Sequence, residues 1–319
     1  MRAMQVTELG QPLSLQEVDT PEPASHEVLV KISACALNFG DILLLKGQYQ
    51  EKPPLPYTLG MELSGEVVAL GADVTTLSVG DRIISYTGIG GLAEFAAIAA
   101  DICIKIPDDM DMTEAAAFPV GYGTAHLALD YRARLQPGER LLVTGASGGV
   151  GLTAVELGKL MGAEVIAVAR GPEKLAIAKD MGADHLIDSE TQDIRDTVKA
   201  LGGADVVYDP VGGDQFRAAL RATNPDGRLI PLGFASGDIP QIPANIILVK
   251  NLTVIGYYWG GYSKVNPKAL NTSLRTLLGW YQEGKIKPHV SNVLPLDQAN
   301  QGLDLLRTRK ATGKVVITV

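Results

Sequence analysis

Residues Ala146-Ser-Gly-Gly-Val-Gly151 have the spacing A-x-G-x-x-G, a turn whose small residues let backbone approach a charged ligand. Alanine stands where the usual fingerprint has its first glycine. Gly148 lets the chain come close to a pyrophosphate, and Gly151 lets the following helix pack tightly on the preceding strand. The N-terminus of that helix presents free N–H groups to the phosphates. The flanking segments fit: Arg140-Leu-Leu-Val143 reads as a buried strand, a helical period follows the turn, and Glu164-Val-Ile-Ala-Val-Ala-Arg170 reads as a second strand. Ala146, Ser147, Gly148, Gly149, Val150 and Gly151 are therefore candidate dinucleotide contacts.

The tip of the second strand distinguishes two cofactors. An acid about 20 positions after the turn would bind a ribose 2′-hydroxyl and repel a 2′-phosphate. Here the strand ends in Ala169-Arg170-Gly171, with no acid, and Lys174 follows one turn later. Arg170 offers a planar fork to phosphate or a face to adenine, and Lys174 adds a point charge. The spacing favours NADPH over NADH; the plainer alternative is that both cations are solvated surface charges.

Composition narrows the function. The net charge of −8 argues against nucleic acid, which needs a basic stripe. Two cysteines, Cys35 and Cys103, lie in apolar runs and read as reduced thiols rather than a disulfide. The four histidines are scattered without metal spacing. The first residues lack the apolar core of a signal peptide, and no run is long enough to span a membrane, so a cytoplasmic protein is expected.

The elements that must carry these residues change character along the chain. The first hundred residues are β-rich, with strands at Val28–Ala36, Leu63–Leu70 and Val79–Ser85 separated by glycine and proline turns, as in a small, partly open barrel. Asn38 and Asp41 fall in a loop after the first of these. From Thr113, a candidate N-cap, the period becomes helical. Strands and helices then alternate, the sixth strand being Leu252–Tyr257, which predicts a doubly wound six-stranded parallel Rossmann sheet in an α/β fold. Helices near 268–284 and 296–307 precede a closing strand at 314–319.

Several short segments carry a family resemblance in their order and spacing: Ala36-Leu-Asn-Phe-Gly-Asp41, Leu59-Gly-Met-Glu-Leu-Ser-Gly65, Val79-Gly-Asp-Arg82, Gly121-Tyr-Gly-Thr124, the glycine turn, and Ala311-Thr-Gly-Lys314. Over essentially its whole length the chain resembles the medium-chain dehydrogenase/reductase superfamily, and within it the zinc-free, zeta-crystallin-like quinone oxidoreductases. The resemblance implies a GroES-like catalytic domain over 1–114, a Rossmann NADPH-binding domain over 115–256, and a return of 257–319 to the catalytic domain, with the active site in a cleft. At the positions of the zinc ligands of related alcohol dehydrogenases stand Asn38, Met61 and, near the third, Ala116. Glu62 alone survives, which is poor zinc chemistry. Lys174 and Lys310 match basic residues that approach the 2′-phosphate in the quinone reductases, whereas Ser189 replaces a tyrosine seen there.

The same resemblance places Thr124 at the nicotinamide carboxamide, with a helix cap as its alternative. It faces Asn38 and Asp41 to the cleft and brings Tyr49 near the nicotinamide, where a phenol can donate to a reduced oxygen. Asp41 read simply is a turn residue, and Tyr49 a lid residue. Gly233, Phe234, Gly256 and Tyr258 stand as further cofactor contacts at strand ends. Tyr258 or Trp259 either stacks on a flat ring, packs in the core or meets a second subunit. Without a metal, a quinone or an α,β-unsaturated carbonyl is an easier acceptor than a simple ketone, because hydride delivery gives a delocalised anion. The reading is thus an NADPH-dependent reductase of quinones or activated enones. The alternatives are an enoyl-thioester reductase and an NADPH-binding protein with a structural or regulatory role. The apolar runs at 246–249 and 252–257 predict a homodimer through the sheet edge.

Overall fold

Strand Glu27–Leu37 is the spine of the first of two units, which comprises residues 1–120, 274–282 and 287–319. The computed structural model describes all 319 residues. Along the spine, Val28, Val30 and Ile32 point into a core shared with Leu63, Val67 and Ile83, the alternation expected of a strand with one buried face. The spine pairs antiparallel with Glu62–Leu70, Phe95–Ala99 and Lys314–Thr318. Two registers fix the surroundings of its carboxyl end. Ala36 faces Glu62 on one side, and Leu37 faces Val315 on the other. The residues just past the end of the spine are thereby bracketed by Glu62 and Lys314.

Three local expectations change in this unit. Asn38 and Asp41 belong to helix Phe39–Leu45, as its N-cap and in its first turn, rather than to a loop. The seven helical residues are too few to show a period, but the Asp41 carboxylate accepts from the Asn38 N–H at 2.7 Å, which fixes the first turn. The N-cap near residue 113 is Asp111, not Thr113: the Asp111 carboxylate accepts from the N–H groups of Thr113 and Glu114. Strand Arg2–Val6, paired with Ser14–Glu17, is an additional element that the sequence pattern does not mark.

The second unit comprises residues 121–273 and 283–286. Its strands are β1 (Arg140–Val143), β2 (Glu164–Ala169), β3 (His185–Asp188), β4 (Ala204–Asp209), β5 (Thr223–Pro231) and β6 (Thr253–Val254). All pairs are parallel, in the order β3-β2-β1-β4-β5-β6. Helices α1 (Gly149–Leu160), α2 (Pro172–Asp180), α3 (Ile194–Ala200), α4 (Gly213–Ala222) and α5 (Ala244–Lys250) lie between the strands in sequence. Leu141, Leu142 and Val143 of β1 and Val165 to Val168 of β2 are fully buried, the unbroken apolar run of strands covered on both faces. The sheet expected from sequence is present, with its last strand shorter than read. The run 246–249 lies in helix α5 and not at the sheet edge, because four consecutive apolar residues fit helix and strand equally well by period. No helix is long and apolar enough to cross a membrane.

Candidate functional site

In the second unit, β1 ends at the glycine turn. Gly145 adopts φ +57°, and a Cβ there would stand 2.9 Å from the Val211 side chain. A Cβ on Gly151 would lie 2.2 Å from the Gly145 carbonyl oxygen, so only glycine lets α1 begin this close to the turn. The partner that forbids a side chain at Gly151 is the turn itself rather than the strand. Helix α1 starts at Gly149 with Gly148 as N-cap and no side-chain cap, which leaves its amino end to a ligand. Ala146 and Ser147 are buried, and the Ala146 N–H donates to the Val168 carbonyl at 2.9 Å, tying the turn to β2. Sequence reading missed Asp209. This fully buried carboxyl at the end of β4 accepts from the Thr144 hydroxyl and from the Gly212 N–H at 2.9 Å, locking the carboxyl ends of β1 and β4 together. Burial pushes its pKa up, against the pull of the Thr144 hydrogen bond.

At the tip of β2, Arg170 pairs with Glu190 at 3.3 Å, both side chains about half exposed. Asp188 accepts from the N–H groups of Gly171 and Glu190, each at 3.0 Å, and these bonds hold its carboxyl below the usual range. The acids absent from β2 are therefore supplied by the end of β3, and Arg170 is not an isolated cation. Ser189 donates its N–H to the Ala169 carbonyl at 3.0 Å, beside this pair. Lys174 stands half-buried in the first turn of α2, whereas Lys310 is exposed and belongs to the first unit.

Thr124 is buried inside helix Pro119–His126 and is not its cap; its carbonyl accepts from the Tyr257 hydroxyl at 3.1 Å. Gly233 passes so near Pro210 that a Cβ would lie 2.9 Å from the Pro210 carbonyl oxygen. Phe234, Gly256 and Tyr258 are exposed at or beyond strand ends. Trp259 is buried, and its ring occupies the space over Gly123, where a Cβ would come within 2.6 Å of it. Of the two rings considered for stacking, Trp259 is a core residue, whereas Tyr258 is 37% exposed.

The first unit gathers Asn38, Asp41 and Tyr49 around the start of one short helix. A Cβ on Gly40 would touch the Met61 side chain at 2.7 Å and the Tyr49 ring at 3.3 Å, so Tyr49 and Met61 flank the same backbone. Behind them is a buried polar cluster that sequence reading saw only in part. Lys314 Nζ donates to Glu62 Oε1 and to Asn38 Oδ1, both at 2.6 Å. Asn38 Nδ2 donates to Glu62 Oε1 at 2.8 Å and to the Ala36 carbonyl at 3.3 Å. Glu62 Oε2 accepts from the Val120 N–H at 2.7 Å. A lysine only donates and a carboxylate only accepts, so the amide orientation of Asn38 is forced. Both of its N–H donors are spent inside the protein. Asp41 is wholly buried, and desolvation raises its pKa to about 7 despite the Asn38 N–H and the nearby Lys314 charge. Lys314 was visible as part of a motif, but nothing local in the sequence marks it as the partner of Glu62. The strand register makes the pair.

Residues 24–108 match the alcohol dehydrogenase GroES-like domain, and residues 149–275 match the zinc-binding dehydrogenase domain. A quinone oxidoreductase-like protein 2 homolog of Nematostella vectensis is 44% identical over 323 aligned positions, spanning 99% of this chain and 88% of that protein. The chain belongs to the quinone oxidoreductase-like family. It is a member of the medium-chain dehydrogenase/reductase superfamily, with a β-rich GroES-like part and a doubly wound Rossmann sheet. Two solved quinone oxidoreductases have the same fold. That of Thermus thermophilus, solved alone and with NADPH, superposes with a TM-score of 0.88 at 33% identity, covering 100% of both chains. That of Escherichia coli, complexed with NADPH, gives 0.93 at 26% identity, again covering 100% of both. Within this quinone oxidoreductase-like family member, the glycine turn and the buried Asn38–Glu62–Lys314 cluster are the candidate sites.

Proposed function

We propose that this protein is an NADPH-dependent oxidoreductase that works without a metal and reduces quinones or activated α,β-unsaturated carbonyls. The observation that carries the reading is the Lys314 ammonium, 2.6 Å from Glu62 and from Asn38. Where zinc relatives need donors, this chain offers an amide oxygen that already accepts from Lys314, the thioether of Met61 and the methyl of Ala116. The one carboxylate already has a cation on it. These residues do not fit a catalytic zinc, which requires three protein donors and an open position.

The glycine turn fits a dinucleotide: Gly148 and the uncapped start of α1 would take the pyrophosphate, and Arg170 and Lys174 the adenosine phosphate. Glu190 and Asp188 moderate that preference by placing negative charge beside Arg170. Bound NADPH supplies the hydride. The protein's share is to orient the acceptor and satisfy the oxygen that gains charge. With the Asn38 donors spent and Asp41 buried, the Tyr49 phenol is the remaining candidate donor of the three. Thr124 and Tyr258 are proposed contacts of the nicotinamide end. The relatives named above support the NADPH assignment and, by their names, quinones as acceptors.

The test is NADPH oxidation against a panel of quinones, enones, enals and enoyl-CoAs, with metal content measured on the same preparation. Turnover with quinones or enones by zinc-free protein is expected. One zinc per chain lost together with activity would overturn the metal-free reading, and tight NADPH binding without turnover on any acceptor would favour a non-enzymatic role. We place the protein in the cytoplasm as a homodimer, checked by fractionation and by sedimentation at micromolar concentration.

A further inference from the structure

Arg195 and Lys199 of α3, Arg221 of α4 and Lys250 of α5 line one groove of about 290 Å³, together with Ile246 and Val249. Its place in the fold is distinctive. Helix α4 ends at Ala222 and runs straight into the start of β5, and α3 and α5 end just before the starts of β4 and β6. The groove thus lies at the amino edge of the sheet, whereas the glycine turn lies at the carboxyl end of β1.

The four cations are poorly matched by acids in a chain of net charge −8. Arg195 has only the exposed Asp196, at 4.0 Å. Lys199, Arg221 and Lys250 make no ion pair. The Lys250 ammonium instead caps α4, donating to the carbonyls of Arg221 at 2.9 Å and Thr223 at 2.6 Å. Its pKa is lowered, first by burial and then by the charges of Lys199 and Arg195. Basic residues in the last turns of α3 and α4 are favoured singly by the helix dipole. That accounts for Lys199 and Arg221 on their own helices, but not for Arg195 in the first turn of α3, nor for the convergence of the four on one hollow, where like charges repel.

We infer that this groove is a second anion site, taking the phosphate groups of a soluble phosphate ester at the sheet edge opposite the cofactor turn. Two arginines give planar forks for phosphate oxygens, and Lys199 adds a mobile point charge. Ile246 and Val249 offer an apolar wall to the organic part of the ligand, and the volume suits a small molecule rather than a second dinucleotide. A second copy of the chain fits badly, because a two-fold axis through the groove would set four cations against the same four.

The probe is inorganic pyrophosphate, titrated calorimetrically at low ionic strength into protein saturated with NADPH, so that the glycine turn is filled. The expected result is one pyrophosphate per chain, weakened at least tenfold in Lys199→Gln/Arg221→Gln with NADPH affinity unchanged. Both side chains are exposed and unpaired, so the fold should tolerate the change; Arg195→Gln provides an independent variant with the same expected direction. Absence of binding, or equal affinity in all variants, overturns the proposal. A second arm uses phosphatidylcholine vesicles containing a phosphoinositide. Val249 on the groove wall and its neighbour Leu248 are each 76% exposed. Vesicle binding lost in Leu248→Ser/Val249→Ser, without pyrophosphate binding, would assign the cations to a membrane surface and refute the soluble-ligand site. No arm depends on turnover, so the result stands apart from the proposed catalytic activity.

Discussion

Lys314 and Glu62 lie 252 residues apart in sequence and 2.6 Å apart in space, with side chains 6% and 0% exposed. Burial removes water from both charges, so each depends on the other and on Asn38 for solvation. Removing one partner of such a pair leaves an unsolvated charge, which costs about 3–5 kcal/mol. Lys314→Met should destabilise the protein by that amount in urea melts. Lys314→Met/Glu62→Gln should recover more than half of it, because no charge is then stranded. Equal losses in the single and double variants would show that packing, not charge pairing, dominates.

Asp41 should make stability fall as pH rises. Burial lifts its folded-state pKa to about 7 from the ordinary 3.8. Above pH 4 the unfolded chain ionises first, so the contribution of Asp41 is full below that pH, declines from 4 to 7 and is lost above 7. Asp41→Asn keeps an acceptor for the Asn38 N–H and removes the ionisation. Relative to the parent, the variant should gain stability between pH 4 and pH 8, by at most about 4 kcal/mol. Parallel stability curves across that range would disprove it.

The acids at the end of β3 make a sharper cofactor test than the basic residues alone. Lys174→Ala should weaken NADPH roughly tenfold and leave NADH nearly unchanged, since a charge-assisted bond is worth about 1.5–3 kcal/mol. Glu190→Gln should move NADPH the other way, tightening it a few-fold by releasing Arg170 from its exposed pair. Fluorescence titration of both variants with both cofactors reads the four affinities. Equal losses of NADPH and NADH in Lys174→Ala would place that lysine in the fold instead.

Gly151→Ala is the test of the turn. The added Cβ would meet the Gly145 carbonyl oxygen at 2.2 Å, which is backbone and cannot swing aside. The helix must shift, at a cost of about 1–3 kcal/mol, and the phosphate cradle shifts with it. A lower melting temperature and a large loss of NADPH affinity are expected together. A variant that melts normally and binds normally would show that the turn has slack.

The second unit is the more legible in sequence. Strands β1 and β2 are nearly unbroken apolar runs, and they begin at Arg140 and Glu164 as their patterns indicate. The failures have physical causes. Helix Phe39–Leu45 is too short for a period to appear, and α5 hides in a run of four apolar residues. Glu190 is invisible to a search for an acid at the tip of β2, because the neighbouring strand end supplies it. Lys314 is a different kind of miss. Its role is created by antiparallel register between strands near opposite ends of the chain, which no local pattern encodes.

That register also imposes an order on synthesis. The strand that flanks the spine at 27–37 is residues 314–318, so a chain emerging from the ribosome contains the whole of 121–286 before this strand exists. Until then Asn38 and Glu62 have no counter-cation, and one side of the spine has no partner. The nucleotide-binding sheet can assemble as soon as its own residues are out. The first unit must wait, with an open strand edge exposed to other chains for most of translation.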